Sequence, residues 1–236
     1  FDKARILAFC LGKPSEAFGE RYRPFDSERR IARLPSPPYL FIDRLTDVGA
    51  EAWQLKSGSW AEAEYDIPPD AWYFRANRQA SMPYCAILEV GLQSCGWLAA
   101  YLGSALRSPT DLSFRNLDGR GKLHSEVFPD AGTLRTRVRL TDVSEAGGMI
   151  LEKFQMEVLQ ADCTVYEGET TFGFFSAASL AQQVGIRDAR ERLYIPSPEE
   201  LARGRRIELV DKPPRTPDDL GGSLGHGLSL PARALR

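Results

Sequence analysis

One acidic residue stands out as a candidate for chemistry because of the sequence around it. Glu89 is the single charged residue between Gln79 and Leu106. An unpaired carboxylate on an apolar helix is rare, since burial disfavours the charged form. A carboxyl group kept neutral in this way can give a proton to a leaving group. Glu89 is therefore the first candidate catalytic residue, and the alternative is a carboxylate held for structural reasons by an arginine or by backbone donors.

Other residue types that catalysis or metal binding commonly uses are sparse. The chain has two histidines, His124 and His226, and four cysteines without a CxxC pair. We therefore predict neither a zinc site nor a disulfide framework, and we expect a reducing, cytoplasmic compartment. His124 lies in a strand pattern, where a lone histidine is usually structural.

Length and charge narrow the class of protein. The chain has 236 residues, enough for one large domain or two small ones. Its 30 basic and 32 acidic residues leave a net charge of −2. No basic excess is present to neutralise a phosphate backbone, so we expect no nucleic-acid partner. The chain begins at Phe1 without a leader pattern, and we expect it to be a piece of a longer polypeptide.

The elements around Glu89 predict a buried helix. Pro83 suits a first helical turn, and Tyr84 to Gly103 is apolar on every side, which is typical of a helix enclosed by other elements. A membrane span is the rival interpretation, because the length matches a bilayer. Polar residues within the stretch and strand patterns on both sides argue against it. We therefore predict no membrane span.

Periodicity elsewhere predicts an antiparallel sheet. Asp2 to Leu11 has a helical pattern, and closely spaced prolines between Leu34 and Pro38 favour an extended segment. Strand patterns occupy Tyr39–Val48, Ala52–Tyr65, Lys122–Phe128, Leu134–Val143 and Met149–Phe175, the last broken near Ala161. The predicted class is α+β, with an antiparallel sheet wrapped around one long central helix. We expect an N-terminal helical arm over 1–33, one domain over 34–180, and a C-terminal extension with a Pro/Gly-rich linker over 181–236.

Four motifs in the predicted domain carry a resemblance to a known family. They are EYDIPPDAWYF at 64–74, SMPYCAILE at 81–89, LSFRNL at 112–117 and TFGFF at 171–175. Together they resemble the FabA-like β-hydroxyacyl-acyl-carrier-protein dehydratases, which have the hotdog fold, and especially the versions fused into polyunsaturated fatty acid and polyketide synthases. The resemblance implies 3-hydroxyacyl substrates carried on the phosphopantetheine of an acyl carrier protein, and no bound cofactor.

The resemblance also implies roles for individual residues. In the family a histidine removes the C2 proton and an acid on the central helix protonates the departing hydroxyl. Glu89 falls at the acid position, whereas Asn77, three residues after Phe74, falls at the histidine position and has no basic group. Tyr84 replaces a glycine whose N–H faces the thioester carbonyl. The resemblance places Tyr84, Cys85 and Phe74 beside the substrate.

These departures leave three functions open. Family sites form across a pair of hotdog domains, so this domain can supply Glu89 to a partner that carries the histidine, in the same polypeptide or as a homodimer. Alternatively, it is a catalytically silent copy that braces an active partner. A hotdog thioesterase, in which a helix carboxylate acts without histidine, is the third possibility.

Overall fold

The computed structural model of this protein describes residues 1–181, 185 and 188–204. The chain divides into two compact units, residues 1–183 and 184–236. The first unit contains one six-stranded sheet in which every neighbouring pair is antiparallel. Its strands are β1 (Arg44–Gly49), β2 (Trp60–Asp66), β3 (Leu112–Leu123), β4 (Thr133–Ala146), β5 (Met149–Gln160) and β6 (Cys163–Ser176). Their spatial order is β1-β2-β4-β5-β6-β3, so β1 and β3 form the two edges.

In the first unit, three helical segments precede the sheet, three lie between its second and third strands, and one follows its last strand. Helices α1 (Lys3–Cys10) and α2 (Pro14–Phe18) are followed by a 3-10 helix, Glu20–Asp26. Helices α3 (Trp72–Ala76) and α4 (Tyr84–Leu102) lie between β2 and β3, with a 3-10 helix at Ser104–Arg107. Helix α5 (Ala177–Ala181) follows β6.

The long helix α4 is the central helix of the first unit. Pro83 precedes its first turn, and Gly103 ends it with φ 86°, a left-handed conformation that glycine adopts readily. The helix packs against β2, β4, β5 and β6. By length and composition it could cross a membrane, but 67% of its apolar window is buried inside the protein. It is therefore a core helix, as the sequence predicted, and the sheet and helix together confirm the α+β class.

The N-terminal residues join the core of the first unit. Ile6, Phe9 and Phe18 are buried, and the ring centroid of Phe1 lies 4.8 Å from that of Trp97 on α4. The Tyr22 hydroxyl donates a hydrogen bond to the Ala100 carbonyl oxygen. The arm therefore covers part of α4 with aromatic side chains.

Three strand boundaries differ from the sequence prediction. Strands were expected from Tyr39 and Ala52, but β1 begins at Arg44 and β2 at Trp60. The strand predicted at Lys122–Phe128 is wrong, because β3 occupies Leu112–Leu123 instead. Only its first residue is buried, so the alternation of polar and apolar residues that marks a half-buried strand is lacking. Strand β4 and the break between β5 and β6 agree with the prediction.

The second unit is described at residues 185 and 188–204. It contains α6 (Ala189–Arg192) and α7 (Pro198–Arg203). Ser197 and Glu200 form a capping box at the start of α7. Most of the predicted linker, including His226, lies outside the described residues.

Candidate active site

Glu89 lies on α4 and is half-buried rather than fully buried as the sequence predicted. Its Oε2 accepts a hydrogen bond of 3.2 Å from Nε2 of Gln93, four residues further along the helix. Side chains four residues apart are neighbours on a helix surface. The carboxyl is therefore held by its own helix while one oxygen remains available to a ligand.

Gln93 is a positioning residue that sequence reasoning missed. It is buried, and its Oε1 accepts a hydrogen bond of 2.7 Å from the Phe41 N–H. Its Nε2 donates to the Tyr39 carbonyl oxygen at 2.9 Å as well as to Glu89. These contacts fix which end of the amide faces Glu89. The sequence offered one signal for this role, because Gln93 is a polar residue one helical turn after the only charged residue of an apolar helix.

Glu89 and Gln93 lie at one end of an apolar cavity of about 250 Å³, called here the Glu89 cavity. One wall is α4, through Leu92, Gly96 and Ala100. The other walls come from the sheet and the N-terminal arm: Phe114, Asn116, Phe172 and Phe174, and Phe9, Ile31, Ala32, Arg33, Leu34 and Pro35. A narrow apolar space with a few polar groups at one end suits a ligand that has a polar head and a hydrocarbon chain.

The other end of the Glu89 cavity carries a second polar pair. Ser104 lines the cavity, and its hydroxyl contacts both Oε1 of Glu152 and, at 2.8 Å, the Ala99 carbonyl oxygen. Glu152 is fully buried on β5, and this burial raises its pKa to about 7. Ser104 has one proton to donate, so both contacts are satisfied together when Glu152 is protonated and donates to Ser104.

Asn77, the residue at the position of the family's histidine, lies outside the Glu89 cavity. Asn77 follows α3, and its Nδ2 donates a hydrogen bond of 2.9 Å to the Ser81 carbonyl oxygen. This contact closes the loop between α3 and α4. Asn77 does not line the Glu89 cavity. Phe74 is half-buried on α3, with its ring 4.7 Å from that of Tyr73, and it does not line this cavity either.

Tyr84 and Cys85 form the exposed first turn of α4. The N–H groups of a first helical turn have no acceptor within the helix, so they can donate to a ligand. Tyr84 lines a second cavity of about 190 Å³, called here the Tyr84 cavity. Leu92 and Asn116 line both cavities and so lie between them.

Tyr166 fills one side of the Tyr84 cavity. Its side chain is buried on β6, and its hydroxyl has no hydrogen-bond partner among the described residues. Gly121 provides the space, because a Cβ atom there would lie 2.0 Å from the Tyr166 hydroxyl oxygen. Burial raises the pKa of Tyr166, so the hydroxyl stays protonated. The Tyr84 cavity is thus lined by two phenol side chains, those of Tyr84 and Tyr166.

Strand β3 is an exposed sheet edge beside the Glu89 cavity. It pairs with β6 on one side, and its other side has no strand partner in the part of the chain that the structure describes. Phe114 and Leu117 on this strand are 40% and 46% exposed. A long edge with exposed apolar side chains is a surface that readily pairs with another strand.

The remaining candidates take no part in either cavity. Nε2 of His124 lies 3.0 Å from Oε1 of Glu167, at a partly exposed position. Cys10 and Cys95 are buried, whereas Cys85 and Cys163 are exposed, and all four are free thiols. Among the residues described here, no three His, Cys, Asp or Glu side chains are grouped as metal ligands would be.

Comparison with known protein families identifies the family and the fold of this chain. The FabA-like domain family matches residues 34–169, more than half of the chain. The chain belongs to the FabA-like family. Its antiparallel sheet and central helix are therefore those of a hotdog domain.

A curated relative extends this assignment. A polyunsaturated fatty acid synthase component from Thraustochytrium sp. is 30% identical over 196 residues. The match covers 79% of this FabA-like chain but 13% of the relative, so the chain spans only a small part of that synthase component.

Solved structures similar to this FabA-like chain include proteins of two kinds. The dehydratase heterocomplex ApeI:P from Xenorhabdus doucetiae is 14% identical, with a TM-score of 0.46, over 62% of this chain and 90% of that one. A thioesterase from Haemophilus influenzae is 9% identical, with a TM-score of 0.39, over 53% of this chain and 78% of that one.

Proposed function

We propose that this FabA-like domain supplies the acid of a 3-hydroxyacyl thioester dehydratase. The observation that carries the proposal is the position of Glu89 at the polar end of an apolar cavity. The cavity can hold the acyl chain while the carboxyl faces the hydroxyl near the thioester. Membership of the FabA-like family supports this use of the cavity.

The proposed reaction eliminates water in a balanced step. A base removes the C2 proton, the C2–H electron pair forms the double bond, and the C3–O bond breaks. The Glu89 carboxyl acts as the general acid and gives a proton to the departing hydroxyl, so the products are a 2-enoyl thioester and water. The hydrogen bond from Gln93 to Oε2 leaves Oε1 free to meet the substrate hydroxyl.

The base comes from outside this chain in our proposal. Asn77 holds the position of the family's histidine, and an amide cannot accept a proton near neutral pH. A second hotdog domain that carries the histidine can approach along the exposed β3 edge, which borders the Glu89 cavity through Phe114 and Asn116. The complete site would therefore contain Glu89 and the partner's histidine.

The pair formed in this way would have one active site and one inactive site. At the second site this chain would contribute Asn77 and Tyr84, without a base and with a phenol in place of glycine. We further propose that the substrate arrives on the phosphopantetheine of an acyl carrier protein, and that the parent protein is a cytoplasmic polyunsaturated fatty acid or polyketide synthase. The relatedness to a synthase component supports this context.

Turnover of a 3-hydroxyacyl-pantetheine thioester tests this proposal. The 236-residue chain is assayed alone and after mixing with a histidine-bearing hotdog domain of the same synthase, and products are separated by mass spectrometry. We expect 2-enoyl thioester only from the mixture. Glu89→Gln should abolish its formation, while Glu20→Gln, which changes an exposed carboxyl, should not.

Other outcomes of this assay contradict the proposal in distinct ways. Enoyl product that survives Glu89→Gln would make the chain a silent partner that only braces the active domain. Free fatty acid from the chain alone, lost in Glu89→Gln, would make it a thioesterase. Enoyl product from the chain alone would show that it needs no external base.

A further inference from the structure

Part of the wall of the Glu89 cavity lies outside the residues that match the family. Phe9, Ile31, Ala32 and Arg33 line the cavity, whereas the family match begins at residue 34. The segment 28–35, which we call the strap, runs across the cavity opposite α4. These four wall residues therefore lie before the segment that matches the family.

Two arginines fasten the strap at its ends. Nη2 of Arg29 donates hydrogen bonds of 3.1 and 2.6 Å to the carbonyl oxygens of Ser108 and Thr110, and its Nε lies 3.3 Å from Oδ1 of Asp111. Nη1 of Arg33 donates to the carbonyl oxygens of Phe9 and Gly12, at 2.8 and 2.9 Å. Carbonyls near the end of a helix lack partners within it, so α1 offers a fixed anchor.

The facing surface of α4 lets the strap approach closely. A Cβ atom on Gly96 would lie 3.2 Å from Cδ2 of Leu34. Between the two arginine anchors, Ile31 and Ala32 are half-buried and line the cavity. The width of the cavity is thus set by small residues on the helix and by two side chains of the strap.

We infer that the strap determines which acyl chains the cavity accepts. This inference rests on the proposed function, since it takes the ligand to be the acyl part of a thioester. The cavity has a volume of about 250 Å³, and the strap forms one side of it. Short and medium acyl chains fit beside the fastened strap, whereas longer chains have to displace it.

Binding of acyl chains of graded length tests the strap. Short, medium and long saturated acyl-pantetheine thioesters are titrated into the 236-residue chain by calorimetry. We expect short and medium chains to bind more tightly than long ones. Ile31→Trp should fill the cavity and weaken binding of medium chains about tenfold, with little change for short ones.

Release of the strap should have the opposite effect. Arg29→Ala removes one anchor, so we expect the affinity for long chains to rise relative to medium chains. Arg30→Ala is the matched control, because Arg30 is an exposed arginine of the same strap. Ile31→Ala enlarges the cavity without adding bulk. It tests the same position of the strap if the Ile31→Trp variant does not fold. Thermal unfolding of each variant confirms that it is folded.

Two failures of this experiment can be told apart. If the unaltered chain binds the thioesters but Ile31→Trp, Ile31→Ala and Arg29→Ala keep its length preference, the strap has no role in selection. If no acyl thioester binds to the unaltered chain, the proposed use of the cavity fails, and the inference fails with it.

Discussion

The two cavities along α4 differ in what each can contribute to a reaction. The Glu89 cavity is apolar, and its carboxyl is held by Gln93, which is itself fixed to the backbone at Tyr39 and Phe41. The Tyr84 cavity is lined by the phenols of Tyr84 and Tyr166. Leu92 and Asn116 separate them.

In the proposed shared site, this difference corresponds to one half that this chain supplies and one half that it does not. The support around Glu89 is complete, because each polar atom of the Gln93 amide is bonded. At the other cavity, the buried hydroxyl of Tyr166 has no partner among the described residues, and Asn77, outside both cavities, bonds only within its own loop. Selection for one acid would maintain the first arrangement and leave the second free to change.

The largest expected effect concerns the support of Glu89. Gln93→Leu leaves the Phe41 N–H and the Tyr39 carbonyl without their side-chain partner. At roughly 2 kcal/mol for each buried group, unfolding free energy should fall by about 4 kcal/mol. Urea denaturation measures the change. Gln155→Leu, at an exposed position on β5, should change the free energy of unfolding little. An equal loss of stability in this control would show that the bonds of Gln93 have no special role.

A smaller effect is expected at Glu152, which is buried behind Ser104 of the Glu89 cavity. Burial raises the pKa of Glu152 to about 7 from 4.5, so the folded state binds a proton more tightly than the unfolded state. This contribution to stability is fully present below about pH 4.5 and is lost as pH rises through 7. Glu152→Gln keeps a neutral donor for Ser104. The stability of the variant relative to the original chain should therefore increase as pH rises.

The difference between the variant and the original chain should reach about 3 kcal/mol at pH 8, from 1.36 kcal/mol for each pKa unit. Urea denaturation at pH 5, 6.5 and 8 gives this difference. Glu169→Gln is the control, because Glu169 is partly exposed on β6 and pairs with Arg120. A constant difference between Glu152→Gln and the original chain across this range would show that Glu152 is ionised in the folded protein.

The smallest effect is expected in the Tyr84 cavity. Tyr166→Phe removes a buried hydroxyl that has no partner in the described part of the chain. Its loss should leave stability unchanged or raise it by about 1 kcal/mol. Thermal unfolding at neutral pH measures the change. A clear loss of stability would mean that this hydroxyl has a bound partner, and the Tyr84 cavity would then not be idle.

The sequence predicted the features that leave a strong local pattern. A lone charge within an apolar stretch identified Glu89, and prolines, glycines and alternating strands identified α4, β4, β5 and β6. Strand β3 was displaced because its residues are exposed on both faces, so no alternation marks it. The motifs of the FabA-like family supplied the position of Asn77, which no physical pattern in the chain reveals.

Other parts of the site depend on contacts between distant residues. Alternation along β5 places Glu152 on the same face as Ile150 and Phe154, and this was a signal of a buried carboxyl. Its contact with Ser104 joins residues 48 positions apart. The strap left no signal, because its role arises from where Arg29 and Arg33 meet the backbone of other segments.

The most direct test of the account compares Glu89, which lines the Glu89 cavity, with Glu152, which is buried behind Ser104. The rate of water loss from a 3-hydroxyacyl thioester is measured for the chain paired with a histidine-bearing hotdog domain, with Glu89→Gln and Glu152→Gln in parallel. We predict that Glu89→Gln lowers the rate by about 10²–10⁴-fold, as expected for loss of a general acid, while Glu152→Gln retains most of it. Full activity in the Glu89→Gln pair would contradict the account.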